Sequence, residues 1–294
     1  MAKKKKATPA EPPTTGWSVP AWEALRASTA DPVARYDPKA TPGYTGNKAS
    51  AAAELTSRGQ RLADLQEMLF ANGRSGDHRS VLLVIQGMDT AGKGGIVRHV
   101  GGIVDPQGLA IKGFGKPTPE ELSHDFLWRI HRALPAAGRI GIFDRSHYED
   151  VLPVRVHNLV PEEVWSQRYE LINQFEREVT EAGTTIIKLL LVVSKDEQKQ
   201  RLTDRLNNPA KYWKYNPADI DERAYWDAYL EAYQAILDKT DTDIAPWFIV
   251  GADRKWFSRL AVCELLISAL EGLDLDWPPP TFDLAVEQAR AAAL

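Results

Sequence analysis

A buried strand that leads directly into a glycine-rich turn is the feature that most limits how this chain can fold. Residues 80–86 (SVLLVIQ) form a short apolar run, which is typical of a central parallel strand covered on both faces. Gly87 to Lys93 (GMDTAGK) then spell GxxxxGK ahead of a helical segment, the context in which phosphate-binding loops occur. The combination predicts an α/β fold with a phosphate site at the carboxyl end of this strand.

The turn is expected to bind phosphate mainly through its backbone. Glycines allow successive amide N–H groups to point inward, the following helix presents its positive end, and the lysine reaches the outer phosphates. The residues expected at the phosphates are Gly87, Thr90, Ala91, Gly92, Lys93, Gly94 and Gly95. An ordinary glycine-rich turn is the alternative, but the strand, the spacing, the lysine and the helix together favour the phosphate loop.

One position departs from the usual phosphate loop. Residue 94 is a glycine, where a serine or threonine usually binds Mg²⁺, so the metal ligand is expected to come from elsewhere. Asp89 within the loop and Asp144 at the end of a later strand are the candidates, because Mg²⁺ prefers hard oxygen ligands and usually keeps several waters. An aspartate beside bound phosphates would repel them without a cation. We therefore expect Asp89 and Asp144 to bind Mg²⁺, with Mn²⁺ as a substitute.

Apolar strands and helical segments alternate through the rest of the chain. Four further strands are predicted, at 109–114, 139–144, 184–194 and 246–250. A capping box at Thr118 and Glu121 predicts a helix that continues to Leu134, and 216–240 read as another helix. This alternation predicts right-handed crossovers and a doubly wound, five-stranded parallel sheet.

The two ends of the chain differ in composition from its middle. Residues 1–50 are rich in proline, threonine, alanine and lysine, with a basic run at 3–6, so they are expected to form a flexible basic arm. Residues 51–275 hold the predicted domain, and 276–294 are expected to form a peripheral strap that ends in a short helix. The length of 294 residues suits one large α/β domain.

Composition excludes several classes of protein. The net charge of −4 provides no overall positive field for nucleic acid, so any polyanion must meet a local basic patch. The single cysteine, Cys263, cannot form an internal disulfide. The sequence has neither an apolar run of membrane-spanning length nor a recognisable secretory signal. We therefore expect a cytoplasmic protein with no membrane or nucleic-acid partner.

A strand-terminal aspartate followed at once by arginine indicates a second part of the site. In FDRSHYEDVL, Asp144 and Arg145 stand at the carboxyl edge of the sheet, where open α/β folds bind ligands. Arg145 can spread its charge over several phosphate oxygens, and a structural ion pair with Glu149 or Asp150 is the alternative. His147 is expected to be structural, because phosphoryl transfer to an anionic phosphate needs little proton abstraction.

The segment 195–240, between the fourth and fifth strands, is predicted to form a helical lid with a basic surface. Its basic residues include Lys195, Lys199, Arg201, Arg205, Lys211, Lys214 and Arg223. Arg201 and Arg205 are four residues apart and share a helix face, so they are expected to point together either at one anion or over the edge of the sheet. A lid closed over phosphates excludes water and favours transfer over hydrolysis. Lys116 is a further candidate phosphate ligand, and a solvated lid surface is the alternative.

Four segments, taken in order, resemble one known family. They are GMDTAGKGG, KPTPEELSHDFLWRIHRALP, IFDRSHYEDVL and APWFIVGADRKWFSRLAV, and they are similar to the polyphosphate kinase 2 family over about residues 50–275. The run RSHYEDVLPVRVH resembles the subgroup of polyphosphate:nucleotide phosphotransferases. A loop without serine or threonine at residue 94 is also a trait of that family, so this departure favours the resemblance.

The resemblance implies a P-loop kinase fold related to thymidylate kinase, with a helical lid, Mg²⁺ and reversible phosphoryl transfer between inorganic polyphosphate and nucleoside mono- or diphosphates. It implies that Asp89 binds metal and orients the acceptor phosphate, and that Lys93 is the loop lysine. It also implies that Asp144 and Arg145 are the metal ligand and the phosphate clamp. Adenine nucleotides are the implied substrates, guanine nucleotides are a further candidate, and a homodimer or homotetramer is the implied assembly.

Two other functions stay open at this point. An ATP-dependent nucleoside monophosphate kinase shares the fold, but it would be expected to keep the loop serine or threonine. A polyphosphate- or nucleotide-binding protein without turnover is the other alternative. The presence of Asp89, Lys93, Asp144 and Arg145 together argues against lost catalysis.

Overall fold

The computed structural model describes residues 16–28 and 30–294, and its centre is one sheet of five parallel strands. The strands are β1 (Ser80–Gly87), β2 (Leu109–Gly113), β3 (Ile140–Asp144), β4 (Thr184–Val192) and β5 (Trp247–Gly251). Their order is β2-β3-β1-β4-β5, with parallel pairing throughout. The predicted doubly wound five-stranded sheet is confirmed, and every strand lies within two residues of its predicted bounds.

Helices cover both faces of the sheet. The α-helices of the described residues are α1 (Ala21–Ala24), α2 (Lys48–Arg74), α3 (Lys93–Gly101), α4 (Pro119–Leu122), α5 (Trp128–His131), α6 (Pro153–Val156), α7 (Glu162–Trp165), α8 (Arg168–Glu181), α9 (Lys195–Leu206), α10 (Ala218–Asp221), α11 (Trp226–Thr240), α12 (Lys255–Glu271) and α13 (Leu284–Ala292). Short 3-10 helices lie at Val33–Arg35, Pro106–Gly108, His147–Asp150, Pro209–Lys214 and Glu222–Tyr225.

Side chains of the central strand alternate between two apolar layers. Val81, Leu83 and Ile85 belong to the layer built with α2, α3 and α12, whereas Leu82 and Val84 belong to the layer built with α5, α8 and α11. All five are fully buried, as expected for a parallel strand covered on both faces. In the register of β1 with β3, Ile85 lies opposite Asp144. The loops that follow these two strands therefore lie side by side at one edge of the sheet.

Two long predicted helices are interrupted. The capping box at Thr118 and Glu121 is present, but α4 ends at Leu122 and a separate helix, α5, begins at Trp128. The Asp125 carboxylate accepts from the backbone N–H of Leu127 at 2.9 Å and starts this new turn. The 216–240 segment likewise divides into α10, a 3-10 turn and α11. Local side-chain capping, which periodicity does not detect, explains the first break.

The N-terminal segment packs against the domain, so the expectation of a flexible arm is wrong for residues 16–28 and 30–50. The backbone N–H of Ala27 donates to Trp247 O at 2.9 Å, and that of Ile249 donates to Leu25 O at 2.9 Å. Leu25 and Tyr44 are buried. These contacts cover the outer edge of β5, which would otherwise expose unpaired backbone groups. The basic run at 3–6 lies outside the described residues.

Substitution of Gly251 by alanine is expected to destabilise the protein by about 1–3 kcal/mol, because a side chain there overpacks the arm. A Cβ at Gly251 would lie 2.5 Å from the backbone O of Pro38, so residues 38–40 would have to move. Gly59→Ala is the matched control, since its Cβ would meet Ile103 at 3.6 Å inside α2. The control is expected to gain up to about 1 kcal/mol. Urea unfolding measures both changes, and equal effects would contradict the packing of the arm.

The C-terminal residues lie on the surface of the domain. In α13 no residue is buried, and Asp276 O accepts from Asn72 Nδ2 at 2.8 Å just ahead of that helix.

The predicted lid corresponds to α9, α10 and α11 with their connecting 3-10 turns. Within residues 16–28 and 30–294, the helices are all too short or too polar to span a membrane.

Candidate active site

The turn between β1 and α3 is an open loop with a strained backbone. Gly87 and Gly92 have φ of 148° and 113°, and Thr90 has φ of 63°, so three positions use left-handed backbone. The Thr90 Oγ1 atom is buried and has no hydrogen-bond partner in the described part of the chain. A buried hydroxyl without a partner calls for an explanation, and a ligand such as an oxygen-rich anion would provide one.

The loop lysine is folded inside the turn. Lys93 is buried at the start of α3, and its Nζ donates to Gly87 O at 2.6 Å and to Met88 O at 3.2 Å. Burial lowers the pKa of Lys93, and the nearby Arg145 guanidinium lowers it further. Gly94 and Gly95 follow in the first turn of α3 and are exposed. The first turn of α3 is therefore open to an anion, and the buried lysine lies directly beside it in the sequence.

The two predicted motifs meet through an ion pair. Arg145 has φ of 66°, and its Nη2 donates to Asp89 Oδ1 at 2.7 Å. The Glu149 carboxylate lies 3.9 Å from the same guanidinium. Burial lowers the pKa of Arg145, but the carboxylates of Glu149 and Asp89 outweigh it and the pKa is raised. Burial raises the pKa of Glu149 despite Arg145. Arg145 thus keeps its charge inside the site, where two acids orient it.

Two aspartate side chains border the glycine-rich loop and offer the hard oxygen ligands that Mg²⁺ prefers. Asp144 Oδ2 lies 3.7 Å from the point that a Cβ on Gly94 would occupy, so this carboxylate faces the position of the missing loop hydroxyl. The Asp89 side chain is 29% exposed and is open to a ligand. No group of three or more metal-binding side chains occurs within the described ranges. Two carboxylates are sufficient for Mg²⁺, which completes its shell with waters and substrate phosphates.

A cavity of about 520 Å³ opens beside the loop. Basic, acidic and aromatic side chains line it together. The basic residues include Lys116, Arg129 and Arg145, the aromatic residues include Trp226 and Tyr229, and the carboxylates are those of Asp89, Glu149, Asp150, Asp219 and Glu222. The volume and this mixed lining suit a small ligand that carries both an apolar ring and an anionic group. Of the residues predicted from sequence, Gly87, Asp89, Lys116 and Arg145 line this cavity, whereas Lys93 and Asp144 lie at the adjoining loop.

Sequence reasoning missed Arg129. Its side chain is buried beside the cavity, where Nη1 donates to Gly115 O at 3.0 Å and the guanidinium lies 5.5 Å from the Phe114 ring centre. Asp150 lies 3.6 Å from Nη2. Because the predicted helix breaks after Leu122, helical periodicity could not show which arginine of this segment points inward. Glu149, which orients Arg145, was considered only as a structural partner.

Arg201 and Arg205 do not point together at one place: Arg201 reaches over the edge of the sheet, and Arg205 turns to other residues of the lid. Arg201 is buried, and Nη1 donates to Thr90 O at 2.9 Å and to Ala91 O at 3.1 Å, behind the loop. Arg205 Nη1 instead donates to Lys214 O at 2.8 Å and to Asp219 Oδ2 at 3.0 Å. Both guanidinium groups have protein acceptors, because this face of α9 packs against other loops. The structural role expected of His147 agrees with its burial and its 3.2 Å contact with Glu176.

A phosphate loop after the central parallel strand, facing an aspartate–arginine pair beside a cavity, defines the class of P-loop phosphotransferases. The sequence profile described as Polyphosphate kinase 2 (PPK2) matches residues 45–276. The chain therefore belongs to the polyphosphate kinase 2 family.

Several relatives are similar to this chain over most of their length. The AMP/ADP-polyphosphate phosphotransferase of Meiothermus ruber is 46% identical over 246 residues, which cover 84% of this chain and 91% of that protein. The ADP-polyphosphate phosphotransferase of Rhodopseudomonas palustris is 42% identical and covers 77% of this chain and 81% of its own. The crystal structure of polyphosphate kinase 2 from Arthrobacter aurescens TC1 aligns with a TM-score of 0.92 at 52% identity, covering 95% and 98% of the two chains.

Proposed function

We propose that this protein transfers phosphoryl groups, reversibly and with Mg²⁺, between inorganic polyphosphate and nucleoside mono- or diphosphates. The observation that carries the proposal is the Asp144 carboxylate facing Gly94, beside a loop that contains Asp89 and Lys93. The name of the Meiothermus ruber relative, AMP/ADP-polyphosphate phosphotransferase, supports this pair of substrates.

The nucleotide is proposed to occupy the cavity. Its aromatic residues Trp226 and Tyr229 would contact the base and sugar, while Lys116 and Arg145 would bind the phosphates. Polyphosphate would then reach the phosphate loop from the lid, where Lys211 and Lys214 are exposed. This arrangement supplies separate binding surfaces for the two anionic substrates.

Transfer is proposed to occur in line between the two substrates, without a covalent enzyme intermediate. Lys93 and Arg145 spread the charge that develops on the transferred phosphoryl group, and Asp89 keeps Arg145 in place. A magnesium ion held by Asp89 and Asp144 would neutralise the same oxygens. His147 is too buried to act as a base, and its Nε2 already pairs with Glu176 Oε1 at 3.2 Å. The acceptor phosphate is already anionic, so no protein base is required.

A coupled assay tests this function directly. The full chain is mixed with Mg²⁺, long-chain polyphosphate and either ADP or AMP, and the ATP or ADP that forms is measured. We expect product from polyphosphate with both acceptors. Product only from ATP and a nucleoside monophosphate would indicate an ordinary monophosphate kinase. No product with either donor would indicate a binding protein without turnover.

Removal of divalent metal is expected to lower the rate by at least about 10²-fold, since a bound metal supplies several kcal/mol of transition-state stabilisation. The measurement is the initial rate after treatment with EDTA and then after titration with Mg²⁺ or Mn²⁺. Both ions are expected to restore turnover. An equal ionic strength of sodium chloride is the control and should restore none. Full activity in EDTA would contradict the roles of Asp89 and Asp144.

Three finer points belong to the same proposal. Adenine nucleotides are proposed as acceptors, with guanine nucleotides as a second class, because the cavity offers aromatic contacts that any purine can use. A homodimer or homotetramer is the proposed assembly. A cytoplasmic location is proposed because both the nucleotide and the metal are abundant there.

A further inference from the structure

The back of the phosphate loop is held by two side chains of one lid helix. Gln198 Nε2 donates to Asp89 O at 3.0 Å, and Arg201 Nη1 donates to Thr90 O at 2.9 Å and to Ala91 O at 3.1 Å. Three consecutive carbonyls of the loop therefore bond to α9. Gln198 and Arg201 are 4% and 7% exposed, so these bonds are shielded from water.

These bonds decide which way the loop amides point. In a planar trans peptide the C=O and the following N–H point in opposite directions. With Asp89 O and Ala91 O directed at α9, the N–H groups of Thr90 and Gly92 are directed away from it. That orientation is what a backbone phosphate site needs. Thr90 also holds a left-handed φ of 63°, which in a residue other than glycine persists only where surrounding contacts enforce it.

Arg201 also joins two loops at the carboxyl edge of the sheet to its own helix, α9. Its Nη2 donates to Ala252 O in the loop after β5, and its Nε donates to Glu197 Oε1 at 2.8 Å. The loops after β1 and β5 thus share one guanidinium from the helix after β4. A lysine would supply a single point charge on a flexible stem instead of this planar fork, so it could not hold all of these acceptors.

We propose that Gln198 and Arg201 are positioning residues that set the amide geometry of the phosphate loop from behind. Arg201 lies outside the cavity proposed for the nucleotide, whereas Gln198 lines one wall of it, and both act on the loop through the carbonyls of residues 89–91. This inference rests on the proposed function only in assuming that the loop binds phosphate. It replaces the anion-binding role first expected for Arg201 with a role on the opposite side of the loop.

Arg201→Lys is expected to lower kcat by about 100-fold, because small displacements of a catalytic loop have effects of that size. Gln198→Met, which keeps the length of the side chain but loses the donor, is expected to lower kcat by up to about tenfold. The KM for the nucleotide should change little in Arg201→Lys, since the cavity does not include residue 201. Arg61→Lys alters an exposed ion pair with Glu271 and is the control that should keep the parental kcat.

Hydrogen exchange of the loop provides a readout that does not depend on turnover. In Arg201→Lys the amides of residues 87–95 are expected to exchange about tenfold faster, while those of β1 stay unchanged. Mg²⁺ with inorganic pyrophosphate should protect the loop in the parental protein and less so in the variant. Unchanged loop exchange, or a parental kcat in folded Arg201→Lys, would overturn the inference. If the parental protein does not use polyphosphate, the proposed function is refuted. The exchange of the loop amides then still decides whether Arg201 sets the geometry of the loop.

Discussion

Asp144→Asn is expected to lower kcat by about 10³-fold while the protein stays folded. The Asp144 carboxylate faces the position of the missing loop hydroxyl, and an asparagine keeps its shape but removes the charge that holds a hard cation. Loss of metal-based stabilisation of several kcal/mol corresponds to a rate change of this size. The measurement is kcat over a titration of Mg²⁺, in which the variant should also need more metal.

Asp89→Asn is expected to give a similar loss for two reasons. It removes the second carboxylate, and it weakens the 2.7 Å contact that orients Arg145. Asp243→Asn is the matched control, because that carboxylate is fully exposed and lies far from the loop in sequence. Circular dichroism shows whether each variant is folded. If the folded Asp144→Asn and Asp89→Asn proteins turn over substrate at the parental rate, the proposed metal site is contradicted.

Lys188→Met is expected to lower the free energy of unfolding by about 3–5 kcal/mol, as is typical when one partner of a buried ion pair is removed. Lys188 is fully buried in the central part of β4, where its Nζ donates to Glu176 Oε2 at 2.6 Å and to Thr240 O at 2.6 Å. Burial raises the pKa of Glu176, but Lys188 and His147 outweigh it and the pKa is lowered. Methionine would leave this buried carboxylate without its ammonium partner.

Two further variants identify the cause of that loss. Lys188→Met combined with Glu176→Gln removes both charges and is expected to recover part of the stability, since the unpaired charge is gone. Lys48→Met changes an exposed lysine at the start of α2 and should stay within about 0.5 kcal/mol of the parental protein. Urea unfolding gives all three values. If Lys188→Met alone is as stable as the parental protein, the Lys188–Glu176 pair contributes no net stability.

The phosphate loop and the sheet could be predicted because their signals are local. A buried strand appears as one apolar run, and a loop that binds through backbone amides appears as glycines at fixed spacing. Asp89, Lys93 and Asp144 were found for the same reason, since each has a set place relative to a strand or a loop. The proximity of Asp144 to Gly94 also followed from the rule that parallel strands end at one edge.

Long-range side-chain partners decided the rest. Arg201 and Arg205 carry the same charge and lie one helical turn apart, so the sequence does not distinguish them. In the structure Arg201 donates to carbonyls of the phosphate loop, whereas Arg205 donates to Asp219. Lys188 is the one charged residue within β4, and only the fold supplies its partners, Glu176 on α8 and Thr240 at the end of α11.

The sequence alone thus determined the parallel α/β sheet, the glycine-rich loop after β1 and the places of Asp89 in that loop and Asp144 at the end of β3, because backbone geometry and strand order specify them. The tertiary structure decided that the N-terminal segment covers β5, that Arg129 lies at the cavity, and that Arg201 faces the loop from behind. These outcomes depend on which acceptors come within hydrogen-bond distance after folding. A linear pattern of charges does not contain that information.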